Sequence, residues 1–295
     1  MHRTLRPFEL LEPDSVAEAV RLLGAHEGRA RVLAGGIDLI AKMRRWQLAP
    51  ECLVSIRRIP RLDRLEVNGA GELEIGSLVS LRALELSPLV REGWPVLHEA
   101  VQQIASVQVK TMGTVIGNLC VATPASDVAV ALYVLDARIT LVGPERERTL
   151  PIDEFFLPVA TSVLGTDEVV TGVAVPPLVS GTGAAFLKLA HTKACIAKVN
   201  VAALLTHEAG LSSKVRIALG AVGPTVIRAR QAEAVLAGRA ASPELIARAA
   251  GTAAQESEPQ DDLRASAGYR RRMVEVLVGR ALTEAARSAG MEATP

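Results

Sequence analysis

An α+β fold in two consecutive units is the class that the sequence predicts, on three observations. Near the N-terminus a short apolar run leads through Gly35-Gly36 into a helical pattern, so strand and helix already mix there. Beyond Pro176-Pro177 the character changes: strand-like runs at 184–190, 199–206 and 214–220 precede helical stretches near 226–237, 243–255 and 266–287. Strands followed by a block of helices make an α+β unit of their own. Composition is the third: 49% of the 295 residues are apolar and 22% charged, enough for one large domain or two of ordinary size. With the boundary set at the Pro-Pro, the units are 1–176 and 177–295.

The elements follow in order. Ser15 with Glu18 is a capping-box pattern, and Val16, Ala19, Val20 and Leu23 then line one face, so 15–23 reads as a helix. Residues 31–34 form a strand, and Asp38 is a candidate cap for a helix that continues to about residue 48 and stops before Pro50. Residues 53–57 and 72–76 are strands. A helix near 95–105 presents Val96, Leu97, Ala100, Val101 and Ile104 as an apolar stripe. Residues 126–135 form a further helix and 138–142 a strand.

Several function classes are excluded. Net charge is +1 with no long basic stretch, so a nucleic-acid footprint is absent. The first eleven residues lack the apolar run of a secretory signal. The longest uncharged stretch, 169–187, holds two prolines and three glycines and is strand and turn material, not a membrane span. Cys52, Cys120 and Cys195 are far apart and show no CxxC pairing, short of the roughly four ligands of an iron–sulfur or zinc site. His2, His26, His98, His191 and His207 show no metal spacing, so no metal is expected. A reduced, cytoplasmic protein is the expectation.

Five segments can carry chemistry. The run VLAGGIDLI at 32–40 is strand, Gly-Gly, helix; the glycines let a phosphate approach backbone N–H groups, and a helix start favours an anion. The run TMGTVIGN at 111–118 is a Gly-containing loop with two hydroxyls and an amide. In TPASD at 123–127, Asp127 either caps the next helix or holds a ribose diol. Lys188, in FLK at 186–188, is either a partner for a flavin carbonyl or phosphate or solvated surface. Cys195, in CIAKV at 195–199, has no His–Asp pairing in sequence and is a small, inert thiol by default.

Taken together, these segments resemble the FAD-binding medium subunit of molybdenum hydroxylases, the family of the carbon monoxide dehydrogenase medium subunit and the xanthine dehydrogenase FAD domain. Weaker similarity runs on through ALGAVGPTVIRA at 218–229 and RASAGYRR at 264–271, so it spans nearly the whole chain. The resemblance implies a two-part FAD-binding unit of the vanillyl-alcohol-oxidase (PCMH) type, followed by a C-terminal domain of antiparallel sheet plus helices. It implies that Val32, Leu33, Ala34, Gly35, Gly36 and Ile37 clasp the FAD pyrophosphate together with Thr114, Gly117 and Asn118. Ser126 and Asp127 would sit by the adenosine half with Asp127 on the ribose, Lys188 near the flavin ring, and Ile196 beside the isoalloxazine.

Three departures stand out. Ile37 replaces the usual Thr or Ser, Ile116 replaces a common Gly, and 191–195 lacks the Arg and Asp often found there. A β-branched residue at 116 predicts ordinary β-region backbone at that point. The implied activity is that of an oxidoreductase subunit. Electrons would pass from a molybdenum-cofactor large subunit through a 2Fe–2S small subunit to this FAD, and on to NAD, oxygen or a quinone-linked acceptor. The alternatives are a self-sufficient flavin oxidoreductase and a scaffold protein with a degenerate FAD site.

Overall fold

A computed structural model describes residues 4–158 and 160–290; His2 lies outside them. The first lobe runs β1 (Glu9–Leu11), α1 (Val16–Ala25), β2 (Ala30–Leu33), α2 (Ile37–Arg44) and β3 (Cys52–Ser55). Its strands form a parallel sheet in the order β1-β3-β2. Each crossover is a helix, as parallel neighbours require. Ser15 caps α1 by accepting from the Glu18 N–H at 3.1 Å, but the Glu18 carboxylate turns back to the Asp14 N–H, one residue before the cap.

The second helix is shorter than its sequence suggests, ending at Arg44. Trp46 takes a left-handed conformation there (φ 59), with Gln47 N–H donating to the Lys42 carbonyl and Trp46 N–H to the Met43 carbonyl. That is a Schellman stop with Trp where Gly is usual. Asp38 lies inside the helix and does not cap it; the N-cap position is Gly36.

Next come β4 (Leu65–Val67) and β5 (Leu73–Gly76), followed by six helices: α3 (Leu81–Leu86), α4 (Pro88–Gly93), α5 (Pro95–Gln102), α6 (Val107–Met112), α7 (Val115–Cys120) and α8 (Asp127–Val134). Ser80, Ser87, Ser106, Thr114 and Ser126 cap α3, α4, α6, α7 and α8 with their hydroxyls, and Pro88 and Pro95 sit in first turns. Each cap satisfies an N–H that would otherwise be orphaned, which is how helices this short persist. The cap of α8 is therefore Ser126, not Asp127. Then β6 (Arg138–Val142), β7 (Glu147–Pro151) and, after the separate small hairpin β8 (Phe156–Leu157) and β9 (Thr161–Ser162), β10 (Val169–Val175) complete an antiparallel sheet ordered β4-β5-β10-β6-β7.

The remaining chain is a four-stranded antiparallel sheet, β11 (Thr182–Leu189), β12 (Val199–Glu208), β13 (Leu211–Gly220) and β14 (Ile227–Arg228), with α9 (Arg230–Leu236), α10 (Pro243–Glu256) and α11 (Ala267–Ser288). The helix expected from 226 starts four residues later, because Ile227 and Arg228 pair with Leu219 and Ala218 as an added strand. One face of this sheet packs Ala185, Val201, Ala203 and Ile217 against α10 and α11. The other face places Ala184, Phe186, Ala202, Leu204 and Ala218 in the same core as α5 and α8. Covered on both sides, β12 is buried over eight of its ten residues and reads as an apolar run instead of an alternation.

Candidate functional site

Two turns from distant parts of the chain meet. Gly36 holds a left-handed conformation (φ 77) at the start of α2, and no side chain caps that helix. A Cβ on Gly35 would overlap the Met112 carbonyl oxygen, so this turn lies directly on the turn between α6 and α7. That second turn is fixed from below: Leu81 N–H donates to the Gly113 carbonyl and Val115 N–H to the Val79 carbonyl, both at 2.9 Å. Glycine at 35 permits the contact, and glycine at 36 supplies the dihedral that sends the chain into α2. Val32 and Leu33 are the end of β2 leading into the turn, and Ala34 accepts from Arg57 Nε at 3.0 Å. Ile37, in the first turn of α2, is 37% exposed.

The second segment differs from the loop expected over 111–118. Only Gly113 and Thr114 lie between helices; Gly117 and Asn118 belong to α7, where the Thr114 hydroxyl accepts from Gly117 N–H at 2.9 Å. Ile116 is helical, with its side chain 3% exposed in the core, so its backbone is not in the β region. The Thr114 cap makes helix the local solution, and burial gives Ile116 an apolar site. Asn118 Oδ1 accepts from the Ser126 hydroxyl at 2.6 Å, joining this turn to the start of α8.

Behind Ser126 lies a buried polar cluster. Asp127 Oδ2 accepts from Lys188 Nζ at 2.7 Å, and Asp127 Oδ1 from Asn200 Nδ2 at 2.6 Å. Lys188 also donates to the Gln103 carbonyl at 2.9 Å. The two charged side chains are 3% and 6% exposed. Burial pushes the Asp127 carboxyl up, against the opposing pull of Lys188 and Asn200. Asp127, expected at a ribose, and Lys188, expected near a flavin ring, are thus joined directly by their charges. A lone ammonium or carboxylate at this depth would be severely desolvated, and each relieves the other. Asn200, fully buried in β12, keeps an Oδ1 with no hydrogen-bond partner. Sequence reasoning passed over it, although an Asn inside the apolar run VNVAALL is a visible break in pattern.

Ile196 stands 57% exposed on the loop between β11 and β12, whose stem closes through Lys198 N–H to the Leu189 carbonyl at 2.7 Å. Cys195 beside it is exposed and free, and the Thr192 hydroxyl holds its thiol below the usual range. Cys120 is the opposite case, pushed up to about 12 by burial. Also missed at the sequence level is Arg270 in the first turn of α11. It is 4% exposed and donates to the Lys198 and Ala221 carbonyls and to Asp262. No helix among the described residues is long and apolar enough to cross a membrane.

Comparison with known proteins shows the family. The family described as FAD binding domain in molybdopterin dehydrogenase matches residues 6–178, and the CO dehydrogenase flavoprotein C-terminal domain matches 184–285. The carbon monoxide dehydrogenase medium chain of Hydrogenophaga pseudoflava is 36% identical over 278 residues, 94% of this chain and 96% of the relative. A subunit of a different complex, the 6-hydroxypseudooxynicotine dehydrogenase subunit alpha of Paenarthrobacter nicotinovorans, is 32% identical and covers 94% of each chain. A solved structure of carbon monoxide dehydrogenase from Hydrogenophaga pseudoflava superposes with a TM-score of 0.93 at 36% identity, over 97% of this chain and 99% of that one. Quinoline 2-oxidoreductase from Pseudomonas putida 86 superposes at 0.91 with 26% identity, over 98% and 100%.

Proposed function

The chain belongs to the FAD-binding subunits of the molybdopterin dehydrogenases, and from that premise we propose that it relays electrons from an iron–sulfur partner to an external acceptor. FAD, when bound, supplies the redox chemistry; the protein supplies position and electrostatics. The partners of this reading are a molybdenum-cofactor large subunit and a 2Fe–2S small subunit, with NAD, oxygen or a quinone-linked acceptor receiving the electrons in the cytoplasm. Support for the partners comes from relatives that are subunits of complexes and from the absence of CxxC pairing in this chain.

One observation carries the site assignment: the Gly35-Gly36 turn lies against the Met112–Thr114 turn, at the uncapped start of α2. Backbone N–H groups of Gly36 and Ile37 would take pyrophosphate oxygens, aided by the positive end of α2. Ala34, Gly35 and the end of β2 at Val32 and Leu33 would form the wall, with Thr114, Gly117 and Asn118 opposite. The Ser126 hydroxyl and the unused lone pairs of Asp127 would serve the adenosine half, since a carboxylate has about four acceptor sites and two are taken here. Lys188 would hold Asp127 and set the positive potential of the site from behind. Ile196, exposed at the tip of its loop, would cover one face of the isoalloxazine. We place the boundary between the FAD-binding unit and the C-terminal domain at 176/177.

Anaerobic mixing tests the relay. The isolated flavoprotein should show no flavin bleaching with any organic substrate of its complex. Bleaching should appear only when the molybdenum and iron–sulfur subunits are added. Reduction by substrate with this chain alone would favour the self-sufficient oxidoreductase instead.

A further inference from the structure

We infer that Arg270 is a positioning residue of the FAD site, holding the loop that carries Ile196 and the turn before Ser126 from the last helix of the chain. This rests on the site assignment above. The guanidinium is 4% exposed, and its Nη1 donates to two carbonyls, Lys198 at 2.8 Å and Ala221 at 3.0 Å. Lys198 is the stem of the Ile196 loop, its own N–H already bound to Leu189. Ala221 is a non-glycine residue in the left-handed region (φ 62), and its N–H donates to the Pro124 carbonyl at 2.7 Å. Pro124 lies two residues before Ser126, and the Ala125 carbonyl next to it accepts from Asn200.

One planar group therefore reaches both ends of the proposed ligand, through Lys198 toward the flavin side and through Ala221 toward the adenosine side. Nη2 is anchored on Asp262 at 2.5 Å, and Asp262 is in turn held by the N–H groups of Arg264 and Ala265. The strain at Ala221 persists because both its N–H and its carbonyl are claimed from outside. A lysine at 270 keeps the charge but lacks the rigid fork that serves two carbonyls and a carboxylate at once.

The test compares Arg270→Lys and Asp262→Asn in the full chain. Losing one charge-assisted bond at Lys198 or Ala221 should speed FAD dissociation by about tenfold or more in Arg270→Lys. The visible circular dichroism of the bound flavin should change with it. Asp262→Asn, which leaves both carbonyl contacts in place, should lower Tm while keeping the flavin signal. If both variants lose Tm and keep the wild-type dissociation rate and dichroism, Arg270 is a structural clamp only and the inference fails. Gly36→Val separates the two levels: loss of FAD there with no effect at Arg270 sinks this inference alone, whereas FAD retention in Gly36→Val sinks the site assignment.

An independent observation lies on the far side of the first lobe, where the geometry points to a divalent-cation site of zinc type. Ligand atoms of Glu9, His26 and Cys52 lie within 4.8 Å of one another. Glu9 and Cys52 are registered partners on β1 and β3, and His26 ends α1. The His26 Nδ1–H donates to the Leu22 carbonyl at 2.8 Å, which leaves Nε2 as the ring lone pair. Orientation of a ligating His by a backbone carbonyl is the usual supporting arrangement. A thiolate, an imidazole and a carboxylate leave one tetrahedral position for water, and binding would release the Cys52 proton. Spacing over 9, 26 and 52 hides the set from any motif search.

The full chain is incubated with Zn²⁺ alone, and separately with Co²⁺, then gel-filtered. One equivalent of metal should be retained, Co²⁺ should show thiolate-type ligand-field bands at longer wavelength than flavin absorption, and Tm should rise. Cys52→Ala and His26→Gln should each abolish retention. Retention of less than half an equivalent by the wild type, or retention by both variants equal to that of the wild type, would overturn the assignment.

Discussion

On the α2 side the proposed site is made of backbone. Gly36 sets the dihedral, Gly35 lets the turn close onto the carbonyl of Met112, and the first turn of α2 has no side-chain cap on its N–H groups. On the α8 side it is made of side chains: Asp127, Lys188 and Asn200, drawn from one helix and two strands and buried together. The first kind tolerates Ile37 in place of a hydroxyl residue, because N–H donors do not depend on the side chain. The second tolerates little, since each member is the solvent of the others. Substitution should therefore act on dihedral and closeness in one region and on charge in the other.

Lys188→Met breaks the comparison hardest. It leaves Asp127 buried without its counter-charge and should cost about 3–5 kcal/mol in urea unfolding. Adding Asp127→Leu to Lys188→Met should recover much of that loss, and a double variant as unstable as the single one would mean that the pair is not the source. Next is FAD affinity in Asp127→Asn, where loss of a charge-assisted bond to a ribose hydroxyl should cost about 1.5–3 kcal/mol. Asp38→Ala should change it by less than about 0.5 kcal/mol, because Asp38 is exposed and caps nothing. Equal affinities of the two variants would remove Asp127 from the ligand site.

Gly35→Ala sharpens the other side. The added methyl meets backbone, which cannot swing away, so a cost of about 1–3 kcal/mol is expected together with weakened FAD binding. Unchanged stability would show that the two turns are less closely joined than their contact implies. The smallest effect is in pH. Burial pushes the Glu85 carboxyl up, but hydrogen bonds from Lys110 and Arg82 outweigh it and the net shift is down. Such a group contributes stability above the unfolded value of about 4.3, and that contribution is lost as pH falls through the lower folded value. The Tm difference between wild type and Glu85→Gln should therefore vanish on acidification. Asp127, shifted up, contributes with the opposite sign.

Much of this was readable from local pattern. Ser15 as a cap, the apolar stripe Val96-Leu97-Ala100-Val101, the strand at 138–142 and the change of character at Pro176-Pro177 all depend on residues within a few positions of one another. The same local logic failed where a single residue took an unexpected conformation. Trp46 stops α2 without glycine, and Thr114 converts an expected loop into helix. Ile227-Arg228 became a strand because β13 had an edge to offer them.

The sequence by itself determined the family, several of the helices and strands and the Gly35-Gly36 turn, because turn dihedrals, caps and hydrophobic period act over one to four residues. Tertiary structure alone decided that Asp127 meets Lys188, that Arg270 reaches both Lys198 and Ala221, and that Cys52 faces His26 and Glu9. Those contacts join residues from 26 to 72 positions apart. A charge in a sequence carries no mark of its partner, and only the packing of β12 between two layers of helices removes the water that would otherwise keep such groups apart.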